Sequence, residues 1–153
     1  MSVYKEIQTN STEQTEAVGA QLARDILADK SAPRFVALKG DLGVGKTVFV
    51  RGFTSEIAPE AAVRSPTFAL VNEYRAKKGK PSVFHFDVYR IVDEDDLYSI
   101  GFYDYLDRDG ICLVEWSENI PYAFPEEYFT VTIEKDDLDN PESRRITVCL
   151  DKR

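Results

Sequence analysis

Residues 40 to 47 read Gly-Asp-Leu-Gly-Val-Gly-Lys-Thr, with a lysine and a hydroxyl side by side behind three glycines. This is the complete G-x-x-x-x-G-K-[ST] pattern of a phosphate-binding loop. Gly40, Gly43 and Gly45 let the backbone adopt positive φ and approach an anion closely. The amides of Asp41, Leu42, Gly43, Val44 and Gly45 then form a concave nest for phosphate oxygens. Lys46 is expected to reach the terminal phosphates, and the Thr47 hydroxyl is placed to bind Mg²⁺. Such a loop needs a strand before it and a helix after it. Arg34 to Lys39 is a short apolar run suited to a buried strand, and Val48 to Thr54 continues with helix-compatible spacing.

A nucleotide-hydrolysing site also needs carboxylates at strand ends near the loop. Ile111-Cys112-Leu113-Val114-Glu115 is an apolar run ending in an acid, the pattern of a Mg²⁺-associated strand end; an ordinary acid at a sheet edge reads the same way. The second candidate is Asp87, within Val83 to Arg90. Alternation predicts Phe84, Phe86 and Val88 on a core face and His85, Asp87 and Tyr89 on the other. A mid-strand acid between aromatics calls for a partner, and Arg90 or His85 would serve structurally. His85, the sole histidine, is suited to a hydrogen bond rather than to Mg²⁺, which takes oxygen ligands. Ser65-Pro66-Thr67-Phe68 follows the loop's helix, where Thr67 could sense the terminal phosphate; a proline turn is the alternative. Trp116, the only tryptophan, either packs near the nucleotide or fills core. The chain lacks the Asn/Thr-Lys-x-Asp segment with which GTPases read guanine, so ATP is the expected nucleotide. Asp107-Arg108-Asp109-Gly110 reads as a turn.

The elements that must position these groups follow from pattern. Tyr4 to Gln8 suggests a short strand. Ser11 with Gln14 fits a capping box, and Val18, Leu22, Ile26 and Leu27 continue as a helical stripe to about Asp29. Thr67 to Arg75 and Ser82 to Arg90 predict two strands joined by a basic turn bearing Arg75, Lys77, Lys78 and Lys80. Asp93 to Asp96 opens a helical, aromatic-rich stretch to Leu106, interrupted at Gly101. Tyr128 to Glu134 and Arg144 to Leu150 predict a closing hairpin. The fold class expected is α/β, a single P-loop NTPase domain over residues 1–153, with a mixed β-sheet flanked by helices.

Composition narrows the function. With 153 residues, 43% of them apolar, the chain can bury a core and is not of the disordered class. The net charge of −8 argues against strong independent binding to nucleic acid. No apolar run suffices to span a membrane. The N-terminal residues lack the basic and apolar regions of a secretory signal, and Cys112 and Cys149 sit in apolar runs, which together suggest a cytoplasmic protein.

Read together, several strings resemble the TsaE (YjeE) family, small P-loop ATPases of bacterial tRNA threonylcarbamoyladenosine biosynthesis. They are the loop itself, Ser65 to Phe68, His85 to Arg90, Ile100 to Tyr105 and Leu113 to Trp116, in family order over about residues 12 to 120. Ser117 departs from the proline common after Glu-Trp. The resemblance implies ATP and Mg²⁺ as cofactors, with hydrolysis weak alone and coupled to TsaD-type and TsaB-type proteins that act on adenosine 37 of tRNA; contact with tRNA would run through that complex. It implies Thr47 and Glu115 as Mg²⁺ ligands, Asp87 as the acid of hydrolysis, and Ser11, Thr12 or Thr15 near the adenine; Lys46 of the loop and Thr67 of the Ser65 to Phe68 segment join Asp87 as the candidate catalytic residues. A small-molecule kinase is the alternative, but no lid insertion stands out. A nucleotide-binding adaptor without turnover is the other.

Overall fold

The structure is a computed structural model that describes residues 2–41, 43–66, 70–76 and 79–153. In chain order the elements are β1 (Ser2–Thr9), α1 (Thr12–Ala28), β2 (Phe35–Lys39), α2 (Lys46–Ser55), β3 (Val71–Tyr74), β4 (Ser82–Asp87), α3 (Glu94–Ser99), α4 (Phe102–Leu106), β5 (Gly110–Glu115), β6 (Glu127–Lys135) and β7 (Arg144–Lys152). Two short 3-10 turns, Ser117–Asn119 and Pro121–Ala123, lie between β5 and β6. The seven strands form one sheet in the order β1-β7-β6-β2-β5-β4-β3. Its centre is parallel, because β2 pairs in parallel with both β5 and β6, and β5 with β4. The β1–β7, β6–β7 and β3–β4 pairs are antiparallel. This is the mixed α/β sheet that the pattern of runs and alternations predicts.

Parallel strands covered on both faces read as continuous apolar runs. Accordingly, Phe35 to Leu38 and every residue of β5 are buried. One face, with Val36, Leu38, Leu113 and Val131, packs against α1 and α2 through Leu22, Ile26, Phe49 and Phe53. The opposite face, with Phe35, Phe84, Phe86 and Val114, packs on Leu97 of α3 and Phe102 of α4. His85 therefore sits on the α1–α2 face and is fully buried. The alternation in β4 divides two cores rather than a core from solvent, which corrects the reading of a single core face.

Local signals explain the helix limits. The Ser11 hydroxyl caps α1 by accepting the Gln14 N–H at 3.2 Å. The Gln14 side chain returns to the N–H of Asn10, at 2.7 Å, so the reciprocal half of the box lies one residue earlier than expected. Asp93 caps α3 through the Asp96 N–H. Gly101, at φ 73°, separates α3 from α4 in the conformation that glycine tolerates best. The β3–β4 hairpin is shorter than predicted. β3 is assigned from Val71, residues 67–69 lie outside the described part, and β4 ends at Asp87 instead of Arg90. The β4 pairing stops there because the Ile91 N–H turns back to the Val88 carbonyl, 3.1 Å away. Asp87 is thus a strand-end residue, not a mid-strand one. On the basic turn, Arg75 pairs with Glu73 at 3.7 Å and Lys80 donates to the Glu56 carbonyl at 3.0 Å; Lys77 and Lys78 lie outside the described residues.

The helix that carries the phosphate loop is held by a close backbone crossing. A Cβ on Gly52 of α2 would lie 1.9 Å from the Glu16 carbonyl oxygen of α1, and one on Gly19 would lie 2.2 Å from that of Phe49. Neither neighbour is a side chain that could rotate away. Gly52→Ala must therefore push the helices apart and loosen the Leu22–Phe53 packing. The expected loss is about 3 kcal/mol or more, read as a lower urea midpoint at unchanged slope. An unchanged midpoint would show that the crossing is not the constraint inferred here.

Candidate functional site

The carboxyl ends of β2, β4 and β5 meet at one edge of the sheet, the place where open α/β sheets bind ligands. The loop after β2 turns there. Gly40 has φ 149°, and a Cβ on it would lie 2.6 Å from the Ile133 carbonyl of β6, so the loop packs where only a bare backbone fits. Gly45, at φ 101°, stands at the N-cap of α2 and offers no capping side chain. The first backbone bond into that helix comes from the Phe49 N–H to the Gly45 carbonyl, 3.0 Å. The amides ahead of it belong to the orphan donors of a helix N-terminus, where the helix dipole also favours an anion. Asp41 is exposed, and its carbonyl accepts the Val44 N–H at 3.4 Å. Thr47 lies in the first turn of α2, and Leu42 lies outside the described residues.

Lys46 and Glu115 meet behind the loop. The Lys46 ammonium donates to the Gly40 carbonyl at 2.8 Å and lies 3.7 Å from the Glu115 carboxylate. Both side chains are more than nine-tenths buried. The other Glu115 oxygen is 2.7 Å from His85 Nε2. Burial by itself would raise the Glu115 carboxyl, but the His85 hydrogen bond and the Lys46 charge together outweigh it and hold it below its ordinary value. An ionised carboxylate only accepts, so His85 Nε2 carries the proton. Nδ1 of the same ring is buried without a hydrogen-bond partner among the described residues. The histidine thus hydrogen-bonds a neighbour as expected, and that neighbour is Glu115.

Asp87 is the register partner of Glu115 on β4, so both acids project from the same face. It accepts the Tyr89 N–H at 3.0 Å. Burial raises its carboxyl; the Tyr89 bond pulls it back, the Glu115 charge adds to the rise, and the result stays above the ordinary value. Two neighbouring acids are therefore driven apart, one a fixed anion and one a better proton acceptor, a division typical of acid–base sites. Trp116 follows at φ 61°, with its ring 5.8 Å from Lys46 Nζ and 4.8 Å from Tyr89. It lines a cleft of 160 Å³ together with Lys46, Gly40 and Glu118.

Thr12 lies on the other flank of the loop, sharing a small pocket with Val44, Gly45 and Arg144. Its hydroxyl donates to Glu142 at 3.1 Å. Arg144 was not singled out by its surroundings in sequence, yet its Nε donates to the Val44 carbonyl at 2.6 Å while Nη1 holds the Pro141 and Ser143 carbonyls. A strand-start arginine 100 residues from the loop gives no local signal of this clamp. Thr67 lies outside the described residues. Leu70, at φ 66°, accepts the Asp87 N–H through its carbonyl at 2.9 Å, which ties Leu70 to the acid.

The donor set suits a phosphate with Mg²⁺: an uncapped helix start, an ammonium, a threonine and two carboxylates. Magnesium keeps several waters and needs only one or two carboxylates from protein, so a dense cluster of acids is not required. The raised Asp87 carboxyl carries a stability consequence. Between its ordinary and raised values the folded state holds more protons than the unfolded chain, so stability falls as pH rises through that window. Asp87→Asn removes this penalty. It is expected to raise the melting temperature at pH 7, with the gain shrinking as pH falls towards the ordinary aspartate value; a lower melting temperature at pH 7 would mean that Asp87 is a stabilising pair.

The family model described as threonylcarbamoyl adenosine biosynthesis protein TsaE matches residues 9–146. The tRNA threonylcarbamoyladenosine biosynthesis protein TsaE of Haemophilus influenzae is 44% identical over 108 residues, covering 70% of this chain and 67% of that protein. The Bacillus subtilis protein of the same name is 38% identical over 100 residues, 65% of this chain and 61% of its own length. That of Aquifex aeolicus is 39% identical over 120 residues, 77% and 80% of the two chains. The crystal structure of Bacillus subtilis YdiB superposes with a TM-score of 0.73 at 30% identity, over 97% of this chain and 86% of that one. The matched stretch contains the glycine loop, Asp87 and Glu115, and the chain belongs to the TsaE family.

Proposed function

We propose that this chain binds ATP with Mg²⁺ and hydrolyses it, coupling turnover to a partner complex that forms the N6-threonylcarbamoyl modification of adenosine 37 in tRNA. The observation that carries this reading is the buried Lys46–Glu115 pair behind an uncapped helix start, with Asp87 beside it in register. Lys46 and the loop amides offer positive charge where terminal phosphates would lie. Thr47 and Glu115 are the residues that would hold Mg²⁺. When bound, the ion neutralises charge on phosphate oxygens. His85 keeps the Glu115 carboxylate oriented and ionised. Asp87, more basic than an ordinary aspartate, orients a water and accepts its proton at the carboxylate.

Partner coupling has a physical route. The Leu70 carbonyl bonded to the Asp87 N–H links the segment after the loop's helix to the catalytic acid. A shift in that segment would change where Asp87 stands, and proteins bound there would bias the shift. The expected partners are TsaD-type and TsaB-type proteins in the cytoplasm. A net charge of −8 leaves the grip on tRNA mainly to them.

Phosphate release, measured with each component omitted in turn, tests the reading. The chain alone is expected to turn over slowly and the partners to accelerate it. Lys46→Ala should abolish hydrolysis and weaken ATP more than ADP. Asp87→Asn should cut hydrolysis by about 10²-fold or more while sparing ATP binding. Glu115→Gln should raise the Mg²⁺ concentration that nucleotide binding requires. A phosphorylated small-molecule acceptor in place of free phosphate would instead establish a kinase, and retained turnover in Lys46→Ala would remove the site assignment.

A further inference from the structure

The aromatic stretch after β4 splits into two sets of rings. Phe102 is fully buried, and Tyr105 lies edge-on to Phe84 and Phe86, with centroids 5.0 and 5.2 Å away. These belong to the core. Tyr98 points the other way, 61% exposed, and Val92 is 85% exposed. The Tyr98 ring lies 4.9 Å from Tyr103, whose hydroxyl donates to Glu94 at 3.1 Å. Tyr122, from the second 3-10 turn, is also exposed; burial, and after it the charges of Glu94, Asp93 and Asp96, raise its phenol. Val92, Tyr98 and Tyr122 are thus exposed around the acids of α3, with Tyr103 half-buried against the core beside Tyr98.

That neighbourhood is strongly negative. From Val92 to Asp104 the chain carries five carboxylates and no lysine or arginine. Three of these acids are held in place: Asp93 caps α3, Asp96 accepts the Val92 N–H at 3.0 Å, and Glu94 accepts the Tyr103 hydroxyl. Exposed tyrosines ringed by carboxylates suit a partner that brings arginine or lysine, since cations stack on tyrosine faces and pair with the acids. A phosphate backbone would be repelled.

The patch also adjoins the nucleotide site. The Tyr89 ring leans on Trp116, centroids 4.8 Å apart, and its N–H goes to Asp87. The Asn119 side chain donates to the Val88 and Tyr89 carbonyls, at 3.2 and 3.3 Å, just before the turn that carries Tyr122. The segment that carries Tyr122 is thus tied, through Asn119, to the turn that holds Asp87.

Resting on the partner-coupled reading above, we propose that the α3–α4 face, with Val92, Tyr98, Tyr103 and Tyr122, is the docking surface for a protein whose facing surface is rich in arginine or lysine. Tyr98 and Asp95 test it, since both are exposed and neither belongs to the nucleotide machinery. Binding of the full-length chain is measured to a purified TsaB–TsaD-type pair and, separately, to tRNA. Tyr98→Ala is expected to weaken binding to the pair about tenfold or more while leaving MgATP affinity unchanged. Asp95→Lys should do the same at low salt, with the difference shrinking towards ~0.5 M salt as charges are screened. Parent-like binding by both variants, or no binding by the parent chain, overturns the docking surface. Loss of a tRNA complex in Tyr98→Ala overturns it in favour of nucleic acid. Binding lost in the variants, but no stimulation of phosphate release in the parent, keeps the surface and rejects the coupling.

Discussion

The buried ion pair between Lys46 and Glu115 is the constraint on which the rest of the site depends. Two charges have been taken out of water, and their attraction offsets that cost only while further polar contacts hold them. Here those contacts are the Gly40 carbonyl on the ammonium and the His85 imidazole on the carboxylate. Each comes from a different element, so the pair forms only when β2, α2, β4 and β5 are all in place. The parallel register supplies this: Leu38 and Asp87 flank Glu115 on either side in the sheet. Removing one partner would leave an uncompensated buried charge, a loss of about 3–5 kcal/mol in comparable sites.

The same constraint makes the site asymmetric. Glu115 is pinned as an anion by neighbours that favour its charge, whereas Asp87 is left half in solvent, its carboxyl raised chiefly by burial. Nothing in the chemistry of aspartate and glutamate distinguishes them in this way; position in the sheet does. Glu115 lies between two strands under the loop, and Asp87 lies where β4 gives way to the turn at Val88–Arg90. That turn, in ring contact with Trp116 through Tyr89, leads from the phosphate end of the molecule into α3, which carries the exposed Tyr98.

Much of this was legible in the sequence, for physical reasons. The glycine loop carries its own backbone requirement, and positive φ at Gly40, Gly43 and Gly45 follows from it. The buried strands β2 and β5 read as apolar runs because both faces are covered. Caps at Ser11 and Asp93 are local hydrogen bonds and so leave local signatures. What was not legible depends on distant parts of the chain. Arg144 reaches the Val44 carbonyl across 100 residues, and no spacing rule encodes that. The end of β4 at Asp87 is set by its neighbour β5 and by the turn beyond, while the residues themselves remain compatible with a longer strand. His85 could be placed on a face by alternation, but its choice of Glu115 over Asp87 required the register between strands.

Trp116 offers a direct test of the central claim that Lys46 and Glu115 form a nucleotide phosphate site. It is the only tryptophan in the chain, and its ring lies 5.8 Å from the Lys46 ammonium, so its fluorescence reports on the site without a label. The measurement is a titration of the full chain with ATP, in the presence and absence of Mg²⁺, followed by tryptophan emission. A saturable change that is strengthened by Mg²⁺ and lost in Lys46→Ala is the expected result. An emission that does not respond to ATP, or responds identically in Lys46→Ala, would contradict the site.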